Sequence, residues 1–324
     1  MEKPEIYVTR MIPMDGIDLL EKFCTVVVNP EDRPVTREEL LNGVRDADGV
    51  LCLLTDRIDA AVFGAARKIK GIANYAVGFD NIDVAEATRR RIPVSNTPGV
   101  LTDATAEMAW ALLFSIARRV VESDRYMRTG KWDGWGPLQY VGGDVTGKTL
   151  GIVGAGKIGS AMAMKSRGFA MKVLYTDTHS NTVLEEELGA TRVSFERLVA
   201  ESDFISLHVP LTEETRHLFD AAVFSRMKPS AFLINTARGP VVNEKDLVEA
   251  LREGRIAGAG LDVYEWEPRM ADGLIGLDNV VVTPHTGSAT TSTRVNMAIK
   301  AATNLLAMIR GTPVPDCVNR EVFD

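Results

Sequence analysis

From Thr149 to Gly159 the chain reads Thr-Leu-Gly-Ile-Val-Gly-Ala-Gly-Lys-Ile-Gly. This is the pattern of a buried strand, a glycine turn and the start of a helix. Few folds accommodate it. Gly154 permits the tight turn, Gly156 lets the backbone approach a pyrophosphate, and Gly159 lets helix and strand pack closely. The backbone from Ala155 through Gly156 and Lys157 to Ile158 then offers N–H groups to the phosphates at the positive end of the helix dipole. A second strand, Lys172-Val-Leu-Tyr-Thr-Asp177, ends in a carboxylate 18 residues beyond Gly159. An acid at that distance accepts the ribose hydroxyls of a dinucleotide, and Thr178 follows it. The segment therefore predicts a dinucleotide site.

A dinucleotide fold begins near its fingerprint, and here the fingerprint begins only at Thr149. The preceding stretch reads as a separate domain. In it, apolar runs at Ile6, Thr25, Gly49, Gly71 and Ile92 alternate with helical patterns over 16–23, 37–42, 59–65 and 84–90. Such alternation implies a parallel sheet covered on both faces. After the fingerprint, further strands are expected at Phe204, Ala231, Gly258 and Val280. The last helix, from about Thr290 to Arg310, stops at Gly311 with Pro313 beyond. The predicted class is α/β with two doubly wound parallel-sheet domains. A dinucleotide-binding domain over 100–287 is inserted into a substrate domain made of 1–99 and 288–324. Thr102 to Arg128 reads as one long helix, apolar over much of its circumference, and so buried against another subunit. A loop rich in Trp and Gly follows from Gly130.

Composition narrows the partners. With 37 basic and 44 acidic residues the net charge is −7, which argues against general nucleic-acid binding. Cys24, Cys52 and Cys317 form no C-x-x-C pair, which fits a reducing, cytoplasmic setting. The N-terminus carries no signal-peptide pattern, and the longest apolar stretch is too short for a bilayer. No Cys/His cluster has metal-ligand spacing, so no metal is expected. Arg89-Arg90-Arg91 reads as the solvated end of a helix.

The chain holds four histidines: His179, His208, His217 and His285. His285, in Thr-Pro-His-Thr-Gly, follows a strand and so projects where a doubly wound sheet binds ligands. His208 also ends a strand and reads as a histidine satisfied by backbone near the cofactor. His179 and His217 read as surface residues. Arg238, in Asn-Thr-Ala-Arg-Gly, is suited to hold a carboxylate or polarise a ketone. A carboxylate beside His285 favours the charged imidazole. Spacing alone leaves Glu265 and Glu267 as rivals for that role.

Several segments, taken in order, resemble the D-isomer-specific 2-hydroxyacid dehydrogenase family over almost the whole chain. They are Tyr75-Ala-Val-Gly-Phe-Asp-Asn-Ile-Asp, Asn96-Thr-Pro-Gly, Ala106-Glu-Met-Ala, Gly154-Ala-Gly-Lys-Ile-Gly, His208-Val-Pro-Leu-Thr, Asn235-Thr-Ala-Arg-Gly, Gly260-Leu-Asp-Val-Tyr-Glu-Trp-Glu-Pro and Pro284-His. The resemblance implies a Rossmann cofactor domain within a flavodoxin-like substrate domain. It implies a triad of Arg238, His285 and, because the family's glutamate directly precedes proline, Glu267. It adds His208, Val209, Pro210, Thr215, Thr236, Ala237, Arg238, Asp262, His285 and Gly287 around the cofactor. The substrate carboxylate is expected on the amides of Val77 and Gly78, with Arg238 and His285 at the ketone and Leu53 at the border. The glyoxylate/hydroxypyruvate reductase subgroup resembles the chain best, through Val77-Gly78, the Asn96–Glu107 run and the Trp132/Trp135 loop. Trp135 matches a residue that in some members borders the partner subunit's active site.

The implied activity is reduction of a small 2-keto acid to a D-2-hydroxy acid in a homodimer. Asp177 repels a 2′-phosphate, and Thr178-His179-Ser180 supply no arginine to counter it, so NAD is the expected cofactor. D-3-phosphoglycerate dehydrogenase and other D-2-hydroxyacid dehydrogenases share the triad. A nicotinamide-sensing corepressor-like binding protein is the alternative from another class. Formate dehydrogenase pairs its histidine with glutamine, whereas Glu267 stands here.

Overall fold

The computed structural model describes residues 3–324. The chain forms two compact units, one running up to Leu101 and resuming over Ala289–Asp324, the other covering Thr102–Ser288.

The first unit is built on β1 (Glu5–Val8), β2 (Thr25–Val28), β3 (Gly49–Cys52), β4 (Ile72–Asn74) and β5 (Val94–Ser95). They pair in parallel in the order β2-β1-β3-β4-β5, the flavodoxin-like sequence of strands. Pro13 precedes the first of the helices between them, and short polar residues start the other three. Thr36 closes a capping box with Glu39, Asp59 accepts from the amides of Ala61 and Val62, and Asp83 accepts from that of Glu86. Ile6, Val50, Leu51, Ile72 and Val94 are fully buried. Burial stabilises each such side chain by ~1.5–3 kcal/mol. The closing helix, Thr291–Arg310, is capped by Thr290 and stops at Gly311 in the left-handed region. Asn319 then accepts from the Val94 amide at 2.8 Å, tying the returning chain to β5. Arg89 and Arg90 are not simply solvated, because both grip the carboxylate of Glu86.

The second unit carries β6 (Thr149–Val153), β7 (Lys172–Thr176), β8 (Thr191–Arg192), β9 (Phe204–Leu207), β10 (Phe232–Asn235), β11 (Gly258–Leu261) and β12 (Val280–Val282). Their order is β12-β11-β10-β9-β6-β7-β8, all parallel. Strand order reverses between β6 and β9, the switch point where such sheets bind ligands beyond their carboxyl ends. The sheet is a Rossmann-type α/β layer. β8 has no counterpart in the strand reading of the sequence, because two exposed polar residues at a sheet edge carry no apolar alternation.

The long helix expected over 102–128 is two helices, Thr102–Ala117 and Val120–Arg128, broken where Arg119 takes a left-handed φ of 52°. The first owes its apolar circumference to its own unit. Ala106, Ala109, Leu112, Leu113 and Ile116 are buried there, and Trp110 Nε1 donates to the Met162 carbonyl at 3.1 Å. No second subunit is needed to explain that helix. The exposed apolar residues lie further on, at Val120, Met127, Trp132, Trp135, Leu138 and Val141. Among the described residues, no helix is long and apolar enough to cross a membrane.

Candidate active site

The glycine loop follows β6 at the switch point. Gly154 has φ 91°, and a Cβ there would press on the His208 carbonyl. A Cβ on Gly159 would lie 2.0 Å from the Gly154 carbonyl oxygen, so only glycine lets the helix Lys157–Lys165 start this close to the strand. At Gly156 the opposite holds, with nothing within 4 Å of a built Cβ. That residue caps the helix without a side-chain bond, leaving the first-turn amides for an anion.

Asp177 sits directly after β7. Its Oδ2 accepts from the Ala155 amide at 2.7 Å, while Oδ1 accepts from Thr178 Oγ1 at 3.1 Å. Burial acts to raise this carboxyl, but the bonds from Ala155, His179 and Thr178 prevail and hold it below the usual range.

His208 differs from its expected environment. Its Nε2 meets Ser206 Oγ at 2.9 Å, not backbone, and its Nδ1 is buried without a partner. Burial pushes its pKa down to about 3, so the ring is neutral. Thr236 Oγ1, after β10, is likewise buried and unpartnered. Two orphan polar atoms beyond adjacent strands, with an open glycine cradle beside them, fit a dinucleotide carrying a polar ring. In the loop beyond Val209, Thr215 Oγ1 donates to the Pro210 carbonyl at 2.7 Å and accepts from the Thr212 amide.

Asn235 builds the turn after β10. Its amide donates to the Arg238 carbonyl at 3.0 Å, and its oxygen accepts from the Ala237 amide. Arg238 Nη1 donates to the Ala237 carbonyl at 2.9 Å. A Cβ on Gly239 would fall 1.9 Å from the Tyr264 carbonyl, so this turn abuts the segment that carries Glu267.

The two rival carboxylates have distinct partners. Glu267 Oε2 lies 3.0 Å from His285 Nδ1, and Oε1 accepts from the Tyr264 amide at 3.1 Å. Glu265 instead lies 2.7 Å from His217 Nε2, giving His217 a partner that a plain surface residue would lack. Glu265 also exchanges backbone–carboxylate bonds with buried Glu244. Burial alone raises the Glu267 carboxyl. The His285 hydrogen bond, together with the charges of His285 and Arg238, outweighs that and holds it below its ordinary value. Arg238, Glu267 and His285 thus share one electrostatic neighbourhood.

Asp262 holds the His285 turn in place. Its Oδ1 accepts from Thr283 Oγ1 at 2.5 Å and from the Thr286 amide at 2.7 Å, while Oδ2 accepts from the Gly287 amide at 2.6 Å. The His285 amide donates to the Asp262 carbonyl at 2.9 Å. His285 itself has φ 54°, a conformation uncommon outside glycine and enriched at constrained sites. Sequence reasoning gave Asp262 a place beside the cofactor and missed this organising role.

The remaining candidates lie in the first unit or in the exposed loop. Val77 and Gly78 follow β4, and their carbonyls accept from Asn96 and Asn74 at 2.7 and 2.9 Å. Leu53 follows β3, donating to Asp56 and accepting from Asn81. Asn81 and Asn96 fall in family-like segments of the sequence, but no role was read there for any of these three asparagines. Trp135 is 84% exposed. Among the described residues, no group of His, Cys, Asp or Glu side chains is placed to hold a metal ion.

A family model described as the NAD binding domain of D-isomer specific 2-hydroxyacid dehydrogenases matches residues 110–287. A glyoxylate reductase of Thermococcus litoralis is 50% identical over 99% of this chain and 98% of its own. The TT0316 protein of Thermus thermophilus superposes with a TM-score of 0.91 at 44% identity, over 97% of this chain and 99% of that one. An NADPH-dependent glyoxylate/hydroxypyruvate reductase of Sinorhizobium meliloti, solved with NADP and malonate, gives a TM-score of 0.86 at 31% identity. That match covers 99% of this chain and 98% of the other.

Proposed function

The chain belongs to the D-isomer-specific 2-hydroxyacid dehydrogenase family, and from that premise we propose that it reduces glyoxylate or hydroxypyruvate to the D-2-hydroxy acid with NADH. The observation that carries this reading is the pairing of His285 with Glu267 next to Arg238, on the unit that also holds the glycine cradle. Residues 100–287 serve as the cofactor domain, and 1–99 with 288–324 as the substrate domain.

Ala155 to Ile158 receive the pyrophosphate, Asp177 and Thr178 the adenine ribose. His208, Val209, Pro210, Thr215, Thr236, Ala237, Asp262 and Gly287 line the rest of the dinucleotide. A bound reduced nicotinamide supplies the hydride. Val77 and Gly78 offer amides to the substrate carboxylate, with Leu53 at its border. Asn96 holds the Val77 carbonyl and with it the Gly78 amide of the same peptide plane, while the Thr97 amide holds the Ala76 carbonyl and with it the Val77 amide. Arg238 orients the carboxylate and stabilises charge developing on the ketone oxygen. His285 delivers a proton to that oxygen from Nε2, because Nδ1 is committed to Glu267. Glu267 stays ionised and keeps the imidazolium available. Oxidation reverses these steps. The anionic Asp177 favours NADH over NADPH.

The exposed apolar residues from Val120 to Val141 fit a homodimer contact that carries Trp135 to the partner's site. The three cysteines are buried and free, which fits a reducing cytoplasm.

The test is turnover of glyoxylate, hydroxypyruvate, pyruvate and phosphohydroxypyruvate with each cofactor. Glyoxylate or hydroxypyruvate is expected to lead with NADH, at a kcat of roughly 1–10³ s⁻¹. A lead for phosphohydroxypyruvate would make the chain a phosphoglycerate dehydrogenase. Binding of NADH without turnover of any of the four would favour a sensing protein.

A further inference from the structure

We propose that Arg192 sets how strongly this chain discriminates between NADH and NADPH, by placing a cation at the ribose corner beside Asp177. The inference rests on the reading of Asp177 as the ribose acceptor. In the sequence that corner looks purely anionic, because Thr178-His179-Ser180 contain no arginine.

Folding brings one there from the edge strand. Parallel pairing of β7 with β8 sets Tyr175 opposite Arg192, and the Val193 amide donates to the Tyr175 carbonyl at 2.9 Å. From that register the Arg192 guanidinium reaches past the end of β7. Its Nη2 donates to the Asp177 carbonyl at 2.8 Å and to the Thr178 carbonyl at 2.9 Å. The guanidinium is thus fastened to the turn that bears the ribose-binding carboxylate. A guanidinium has five N–H donors, of which these bonds use only those on one nitrogen.

The carboxylate is equally fixed. Asp177 Oδ2 is tied to the Ala155 amide, and Oδ1 accepts from Thr178 Oγ1 and from the His179 amide. Asp177 therefore does not swing away to admit a phosphate. An incoming 2′-phosphate meets one fixed carboxylate and one fixed guanidinium, a compensated corner in place of a bare negative one. Asp177 makes NADH the preferred cofactor, and Arg192 keeps NADPH from being refused outright.

Calorimetric dissociation constants for NADH and NADPH with the full-length protein test this, for the wild type and for Arg192→Gln, Arg192→Lys and Asp177→Ala. Arg192→Gln is expected to weaken NADPH binding about fivefold, the upper range for an exposed charge interaction, with NADH changed by less than about twofold. Arg192→Lys is expected to keep most of the NADPH affinity. Added KCl is expected to weaken NADPH binding more steeply in the wild type than in Arg192→Gln. Equal losses for both cofactors would reduce Arg192 to a cap on the strand end and overturn the proposal. So would unchanged binding of both, or a wild type with no measurable affinity for NADPH. Unaltered NADH affinity in Asp177→Ala would remove the ribose assignment itself, whatever Arg192 does.

Discussion

Gly156 and Gly159 stand three residues apart at the start of one helix, yet the same substitution is expected to act on them through different physics. At Gly156 a Cβ meets nothing within 4 Å, and the backbone at φ −70°, ψ −164° suits any residue. Alanine there restricts the unfolded chain, a gain of about 0.4–1 kcal/mol, offset by about 0.5–1 kcal/mol because alanine is a poorer N-cap than glycine. Gly156→Ala should therefore melt within about 3 °C of the wild type. Its NADH dissociation constant should nonetheless rise at least tenfold, or about 1.4 kcal/mol, because the methyl occupies space the pyrophosphate needs. At Gly159 the Cβ falls 2.0 Å from a backbone oxygen that cannot rotate away. Gly159→Ala should cost about 1–3 kcal/mol in strain. That lowers the melting temperature by roughly 2–4 °C per kcal/mol for a domain of this size, with cofactor affinity falling as the loop shifts. Differential scanning fluorimetry without nucleotide and NADH titration report the two quantities separately. Wild-type NADH affinity in Gly156→Ala would refute the assignment of the open cradle to the phosphates. An unshifted melting temperature in Gly159→Ala would refute the packing argument.

Two further predictions concern ionisation. Glu267→Gln preserves shape but removes the charge beside His285, so kcat for glyoxylate is expected to fall by about 10²-fold or more. An unchanged kcat would contradict the pairing seen at 3.0 Å. His208, held at about 3 against an ordinary 6.5, binds fewer protons folded than unfolded between those values, so its contribution to stability falls as the pH drops through that window. Denaturant unfolding of His208→Gln at about pH 7 and about pH 5 should show a smaller acid-induced loss than the wild type. An identical loss would mean the imidazole is not excluded from protonation.

Sequence alone determined what depends on local backbone chemistry. The glycine loop specifies its own turn through Gly154, its own close packing through Gly159, and the acid that follows at Asp177. β-branched runs such as Thr25-Val-Val-Val and Val280-Val-Val mark strands, and Thr290 and Gly311 bracket the last helix. His285 and Arg238 were legible as strand-end residues because the strands of a parallel sheet all end on one edge, where its ligand-facing loops lie. Tertiary structure decided everything that depends on which distant group comes to rest beside which. Glu265 and Glu267 are two residues apart and chemically identical, yet one meets His217 and the other His285. Arg192 reaches the Asp177 turn only through edge-strand register, and Asp262 organises the His285 turn across a neighbouring strand. The helix break at Arg119 and the asparagines behind Val77 and Gly78 belong with these. A side chain's local pattern encodes its backbone conformation, whereas a contact between remote residues is set by packing over the whole sheet and leaves no periodic trace in the chain.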